Sequence, residues 1–172
     1  MSQKRAMAYG ETAVPVERSQ KGIRDLLQKY GASVVQFNED FGGGKISMRF
    51  AYAVAVTAPK EGAEPLIYRV RLQAVVPAVK ETRRTPSGGV RDRGARMVQQ
   101  DRERNQRAAW RAVYYALKSR MESVSYGIET FEEAFLAHFE AGVDRAGNTF
   151  TIGDRLIPRL QAGRLALAEK VD

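Results

Sequence analysis

The chain has 172 residues, with 28 Lys and Arg against 20 Asp and Glu, a net charge of +8 and no cysteine. Its length suits one domain with appendages, and its 44% hydrophobic and 28% charged residues match the usage of folded proteins. Disulfides, thiolate nucleophiles and cysteine-held metals are excluded, while the positive excess favours polyanionic partners.

The opening residues, Met-Ser-Gln-Lys-Arg-Ala-Met-Ala-Tyr-Gly, lack the apolar run of a signal peptide. The most apolar stretch, residues 50–58, is far shorter than the roughly 20 residues that cross a bilayer, so no membrane association and a cytoplasmic location are expected.

Residues 1–17 show no periodicity and read as an N-terminal arm. Ser19 stands where an N-cap would precede Ile23, Leu26, Leu27 and Tyr30, whose i, i+3, i+4, i+7 spacing predicts a helix over 20–30, closed by Gly31. Residues 33–38 are β-prone, and Gly42-Gly43-Gly44 offers a turn. Ile46, Met48, Phe50, Tyr52, Val54 and Val56 then alternate with smaller or polar residues, which predicts a strand. A loop at 59–65 leads into a second alternation, Leu66, Tyr68, Val70, Leu72, Ala74 and Val76, which predicts its partner strand.

Residues 80–94 carry almost no apolar side chains and read as a mobile arginine-rich loop, which extends to 96 with the start of the next helix. From Ala95 the chain turns helical, and Trp110, Val113, Tyr114, Leu117, Met121 and Val124 form one apolar stripe that ends before Gly127. Thr130 and Glu133 form a capping box for a short helix bearing Phe131, Phe135, Leu136 and Phe139. Residues 142–153, with Asp144 and Gly147-Asn148, suggest a hairpin-like connection to a last helical piece over 154–167. That piece carries Leu156, Ile157, Leu160 and Leu165, and Pro158 and Gly163 weaken it.

These elements predict an α+β fold: a three-stranded antiparallel sheet with helices packed on one face, in the order α-β-β-β-α-α, and a helical C-terminal extension. The organisation expected is an arm at 1–17, one α+β domain at 18–140 with an arginine-rich loop at 80–96, and an extension at 141–172.

The stretch Tyr9-Gly10-Glu11-Thr12-Ala13-Val14-Pro15-Val16-Glu17-Arg18-Ser19, with Ile23-Arg24, Leu26-Leu27 and Gly31-Ala32 after it, resembles the opening of an uncharacterised family of bacteriophage and prophage proteins. Trp110-Arg111-Ala112, Glu122, Gly127-Ile128, Thr130-Phe131-Glu132 and Phe135-Leu136 resemble that family's helical half, and Thr151-Ile152-Gly153-Asp154 its tail. The resemblance implies a phage setting and brings no activity, cofactor or catalytic residue with it. The order helix, three strands, helix is also that of double-stranded-RNA-binding domains, a similarity of topology alone.

Between Lys80 and Arg107 there are nine positive residues, Lys80, Arg83, Arg84, Arg91, Arg93, Arg96, Arg102, Arg104 and Arg107, against Glu81, Asp92, Asp101 and Glu103. Arginine's planar fork suits bidentate phosphate contacts, so Arg83, Arg84, Arg91, Arg93, Arg96, Arg104, Arg107 and Arg111 are the expected nucleic-acid contacts. Tyr115, off the apolar stripe between Arg111 and Lys118, is a candidate stacking surface for a base, with Lys118 a further phosphate contact. Arg49, Arg69 and Arg71 fall on the polar face of the two alternating strands and form a second basic surface.

His138 is the only histidine, which removes any two-histidine mechanism or multi-histidine metal site. Glu129, Glu132, Glu133 and Glu140 hint at a metal-dependent nuclease, yet helix capping already accounts for Glu132 and Glu133. Gly42-Gly43-Gly44 lacks the spacing of a phosphate-binding loop.

The expectation is a non-enzymatic nucleic-acid-binding protein without cofactor or metal, favouring single-stranded DNA or RNA, in phage replication or recombination. The alternative is a protein-interaction module that meets a phage or host enzyme, or a second copy of itself, through its C-terminal helices. It rests on the apolar surface of Phe131, Phe135, Phe139 and the 156–167 piece.

Overall fold

The computed structural model describes residues 8–40, 44–54 and 66–163. Within it, helix α1 spans Val16–Lys29 and strands β1 (Val34–Asp40), β2 (Lys45–Val54) and β3 (Leu66–Val75) form an antiparallel sheet in the order β1-β2-β3. A small hairpin of β4 (Thr82–Arg84) and β5 (Val90–Asp92) precedes the 31-residue helix α2 (Ala95–Ser125). Helix α3 (Phe131–Phe135) runs into a 3-10 turn at Leu136–His138, then a second hairpin, β6 (Glu140–Val143) and β7 (Thr149–Thr151), and helix α4 (Ile152–Gln161). The expected α+β architecture is present, and no helix among the described residues is long and apolar enough to cross a membrane.

The period-two pattern sets the sheet register. Ile46 faces Ala74, Met48 faces Leu72, Phe50 faces Val70 and Tyr52 faces Tyr68, so these side chains share one face, while Ile67 and Val75 fall on the other and are exposed. Helices α1 and α2 cover it with Ile23, Leu27, Ala109, Trp110, Val113, Leu117 and Met121. Each large side chain buried there contributes about 1.5–3 kcal/mol by its removal from water.

The core closes with aromatic contacts. Phe135 meets Phe50 edge-on at 5.7 Å, Phe131 stacks on Tyr52 at 4.1 Å, and Phe139 stacks on Tyr68 at 4.4 Å. Phe139 also bridges to Val70 on the outer edge of β3, so the chain enters β6 beside an edge that would otherwise be open.

Two ends differ from the sequence reading. Helix α1 begins three residues before Ser19, behind Pro15, and Ser19 is fully buried inside it instead of capping it. A small side chain fits where the helix lies close on the core, and the amide of Ser19 already bonds the Pro15 carbonyl. Residues 80–96, read as a loop, hold the β4–β5 hairpin and the first residues of α2. The Gly42-Gly43-Gly44 turn apart from Gly44, the strand's end at 55–56, the loop at 59–65 and the helical piece beyond 163 lie outside the described residues.

One buried polar contact pins α2 to the sheet. The Trp110 indole Nε1 donates to Glu39 Oε1 at 2.7 Å, and Gln20 of α1 donates to the same oxygen at 3.3 Å. A single carboxylate of β1 therefore holds both helices. Replacing Trp110 with Phe should cost more than about 1.5–3 kcal/mol in urea unfolding, because the loss of a hydrogen bond to a charged group adds to the volume left empty at a fully buried site. Replacing the fully exposed Tyr126 with Ala should cost less than about 0.5 kcal/mol. Equal losses in the two variants would show that the Glu39 contact contributes nothing net.

Candidate nucleic-acid interface

The sequence-predicted arginines separate into those that carboxylates or carbonyls already hold and those that stand alone. Arg93 donates to Asp101 at 2.6 Å and to the Lys80 carbonyl at 3.0 Å, which ties the foot of the β4–β5 hairpin to the second turn of α2. Arg104 also reaches Asp101, at 3.2 Å, and Arg102 pairs with Glu81 at 2.6 Å. The Arg93 hydrogen bond, opposed by partial burial and aided by the charges of Arg104 and Arg93, holds the Asp101 carboxyl below its usual range. Arg107 donates to the Thr12 carbonyl at 3.4 Å, and Lys118 pairs with Glu122 at 3.6 Å.

Arg111 and Tyr115 form a closed stack. The guanidinium lies 4.6 Å from the Tyr115 ring centre and donates to its hydroxyl at 2.9 Å, while Tyr9 stacks on the same ring at 5.1 Å. The ring proposed as a base platform thus already has two neighbours from its own chain. Trp110, by contrast, is fully buried.

Arg49 and Arg71 face each other across the β2–β3 ladder, an arrangement of like charges that is unfavourable by itself. The second hairpin and α4 neutralise it. Arg49 Nε lies 2.9 Å from Glu140 Oε1, an ion pair without hydrogen-bond alignment, and its terminal Nη2 donates to the Thr149 hydroxyl at 2.6 Å. Arg71 donates to the Thr149 carbonyl at 2.7 Å and pairs with Asp154. Arg69 is exposed and has no charged partner among the described residues. The second basic surface expected from the strands is therefore internally paired at two of its three arginines.

Thr151 caps α4 and forms a capping box with Asp154, whose carboxylate thereby serves both the helix start and Arg71. Gly153 is required there, because a Cβ would lie 2.6 Å from the Ala137 carbonyl oxygen. His138, half-buried beneath this region, is held below its ordinary pKa by burial and by the charge of Arg120, which favours a neutral imidazole.

Arg83, Arg84, Arg91 and Arg96 are different. All four are exposed and have no carboxylate partner among the described residues. Arg83 faces Arg91 directly across the β4–β5 ladder, and Arg84 faces Val90 one step nearer the tip. Asp92, the only carboxylate in these two strands, sits at the foot opposite Thr82.

The turn is built for rigidity. Thr85 N donates to the Gly89 carbonyl at 2.8 Å and Gly88 N to the Thr85 carbonyl at 3.0 Å, with Pro86 fixing the first corner and Gly88 adopting φ +83°. Arg83, Arg84, Arg91, Thr85, Pro86 and Ser87 enclose a small polar cleft of about 340 Å³. An arginine-rich polar lining without a carboxylate suits phosphate oxygens.

A larger cleft of about 740 Å³ at the foot of the hairpin is lined by charges of both signs, including Glu39, Asp40, Glu81, Lys45 and Arg102. Two of them, Glu81 and Arg102, already pair, so it lacks the single-sign character of an anion site. Among the described residues no group of three or more acidic, histidine or cysteine side chains could hold a metal. Glu132 and Glu133 lie in the first turn of α3, where Thr130 and Glu133 complete the expected capping box. Phe131, Phe135 and Phe139 are buried in the core, and the exposed apolar side chains near the C-terminal helices among the described residues include Leu136, Leu156 and Ile157.

The sequence reading did not separate the paired arginines from the unpaired ones. Arg93 and Arg104 depend on Asp101 only eight and three residues away, whereas the partners of Arg49 and Arg71 come from the far end of the chain. No protein-family model, curated protein or solved structure gives a significant match to this chain.

Partial burial pushes the Asp154 carboxyl up, but the hydrogen bonds from Thr151 and the charge and hydrogen bond of Arg71 outweigh it and hold it below the usual carboxylate range. Its contribution to stability is therefore complete above the unfolded value of about 3.9 and is lost as pH falls through the lower folded value. The thermal midpoint of the native chain should drop more steeply below about pH 4 than that of Asp154→Asn. Identical acid profiles would show that Asp154 does not couple the C-terminal hairpin to Arg71.

Proposed function

We propose that this chain is a non-enzymatic nucleic-acid-binding protein, that the β4–β5 hairpin is its principal contact, and that it acts in the bacterial cytoplasm in a phage context. The observation that carries the reading is a contrast between two in-register arginine pairs. Arg49 and Arg71 are answered by Glu140 and Asp154, whereas Arg83 and Arg91 have no such answer among the described residues.

An uncompensated cross-strand arginine pair costs free energy in the isolated protein, and a phosphate placed between the two side chains turns the cost into a charge-assisted contact. Arg84 at the turn and Arg96 in the first turn of α2, which contains no acidic residue, extend the positive surface. Arg107, Arg111 and Lys118 lie further along the same helix. Binding is the role that a cluster of unpaired arginines supports by its chemistry. Base stacking on Tyr115 is not part of the proposal, because Tyr9 and Arg111 already engage that ring.

Binding through phosphate contacts weakens steeply with salt, in proportion to the number of phosphates neutralised. Fluorescence anisotropy with labelled oligonucleotides between about 50 and 200 mM salt should show an affinity loss of at least tenfold for the native chain. The double variant Arg83→Ala, Arg91→Ala should bind more weakly, and its log–log salt slope should be shallower by about 2. Arg49→Ala should leave that slope unchanged. No binding at 50 mM salt to any oligonucleotide would overturn the proposal and direct attention to Leu136, Leu156 and Ile157 as a protein-docking surface.

A further inference from the structure

We infer that the nucleic acid is a B-form DNA duplex and that the β4–β5 hairpin enters its major groove tip-first; this rests on the reading of the hairpin as the nucleic-acid contact. The argument is one of shape and of how the cations are distributed over two faces.

In a β-strand successive side chains point to opposite faces, and residues directly opposite across a ladder share a face. Arg83 and Arg91 therefore occupy one face of the hairpin and Arg84 the other. A single strand lying along the hairpin would be served by one face. A groove has a phosphate wall on each side, and a finger standing in it needs cations on both.

The dimensions agree. The major groove of B-form DNA, about 12 Å wide, admits a two-stranded β-ribbon, whereas its minor groove is only about 6 Å wide. Three residues of strand rise about 10 Å, so the turn at Thr85 to Gly89 reaches the floor of a groove about 8.5 Å deep while the foot of the hairpin stays at its rim. There Lys80 and Arg96, both exposed, stand beside the backbone. The A-form major groove is deep and too narrow for side chains to read, so duplex RNA excludes the same finger.

The rest of the hairpin fits insertion. Its tip carries Thr85, Pro86, Ser87, Gly88 and Gly89, a compact turn with hydroxyls and no acidic residue. Arg93 bonds to Asp101 and to the Lys80 carbonyl, which fixes the finger's foot on α2 and removes much of the ordering cost that a flexible loop would meet on binding. Asp92 lies at that foot, on the face of Arg84, and stays out of the depth of the groove.

The test uses the full chain and three labelled probes of one sequence: a 20-base-pair DNA duplex, the matching RNA duplex and the single DNA strand, at one salt concentration. The DNA duplex should bind at least tenfold more tightly than either of the others. Arg84→Ala and the double variant Arg83→Ala, Arg91→Ala should each reduce that preference, with circular dichroism confirming an unchanged fold. Methyl green, a major-groove ligand, should compete with the protein, and netropsin, which fills the minor groove, should not. Equal affinity for the three probes, or competition by netropsin alone, would overturn the inference while leaving nucleic-acid binding in place. Failure to bind any of the three would overturn the underlying reading as well.

Discussion

A three-stranded sheet whose core-forming side chains lie on one side must cover that side first, and the molecule is organised around this asymmetry. Ile46, Met48, Phe50, Val70 and Leu72 demand a lid, which α1 and α2 supply. The lid requires only part of α2. Its buried residues run from Asn105 to Met121, apart from Val98, so about two and a half turns at its start extend past the central core. Those turns hold Arg93 through Asp101 and Glu81 through Arg102, and the β4–β5 hairpin is therefore fixed to the start of this helix. Burial of the apolar face thus places the arginines of the hairpin at the molecule's margin.

The polar face of the same sheet follows a different logic. Arg49 and Arg71 are forced into opposition by the register that aligns Met48 with Leu72 and Phe50 with Val70. Their repulsion is relieved only because β6, β7 and α4 return to β3 and bring Glu140, Thr149 and Asp154. Phe139, bridged to Val70, sets where that return begins, and Gly153 permits α4 to approach Ala137. The C-terminal hairpin is consequently part of the sheet's electrostatics, although sequence composition alone separates it as an extension. With partly exposed ions such as Asp154, the benefit is tempered by water, and the cap at Thr151 carries part of the same interaction.

Much of the fold was legible in the chain. The alternation in β2 and β3 and the stripe from Trp110 to Val124 are strong local signals because each reports a face that one large core must bury. The capping box of Thr130 and Glu133 is equally local. The start of α1 was hidden because a buried serine looks like a cap when its surroundings are unknown. The β4–β5 hairpin was hidden for the opposite reason: both of its faces are exposed, so no hydrophobic alternation marks it. Only the turn chemistry of Pro86 and Gly88 signalled it. The contact of Glu39 with Trp110 and the partners of Arg49 and Arg71 span long sequence separations, which composition and spacing do not encode.

The same distinction explains why charge counts were an incomplete guide to the site. Residues 80–107 carry most of the molecule's positive excess, but Arg93, Arg102 and Arg104 there are committed to Asp101 and Glu81 and act as fasteners. An arginine already bound to a carboxylate must give up that partner before it gains a phosphate, and the exchange yields little. Arg83, Arg84, Arg91 and Arg96 give up only water. Their availability for the proposed phosphate contacts thus arises from the placement of the nearby acidic residues: Glu81 and Asp101 satisfy the foot of the hairpin and leave its upper part positive. The fold uses carboxylates to choose which arginines remain available, and that choice concentrates them on a short, well-anchored ribbon.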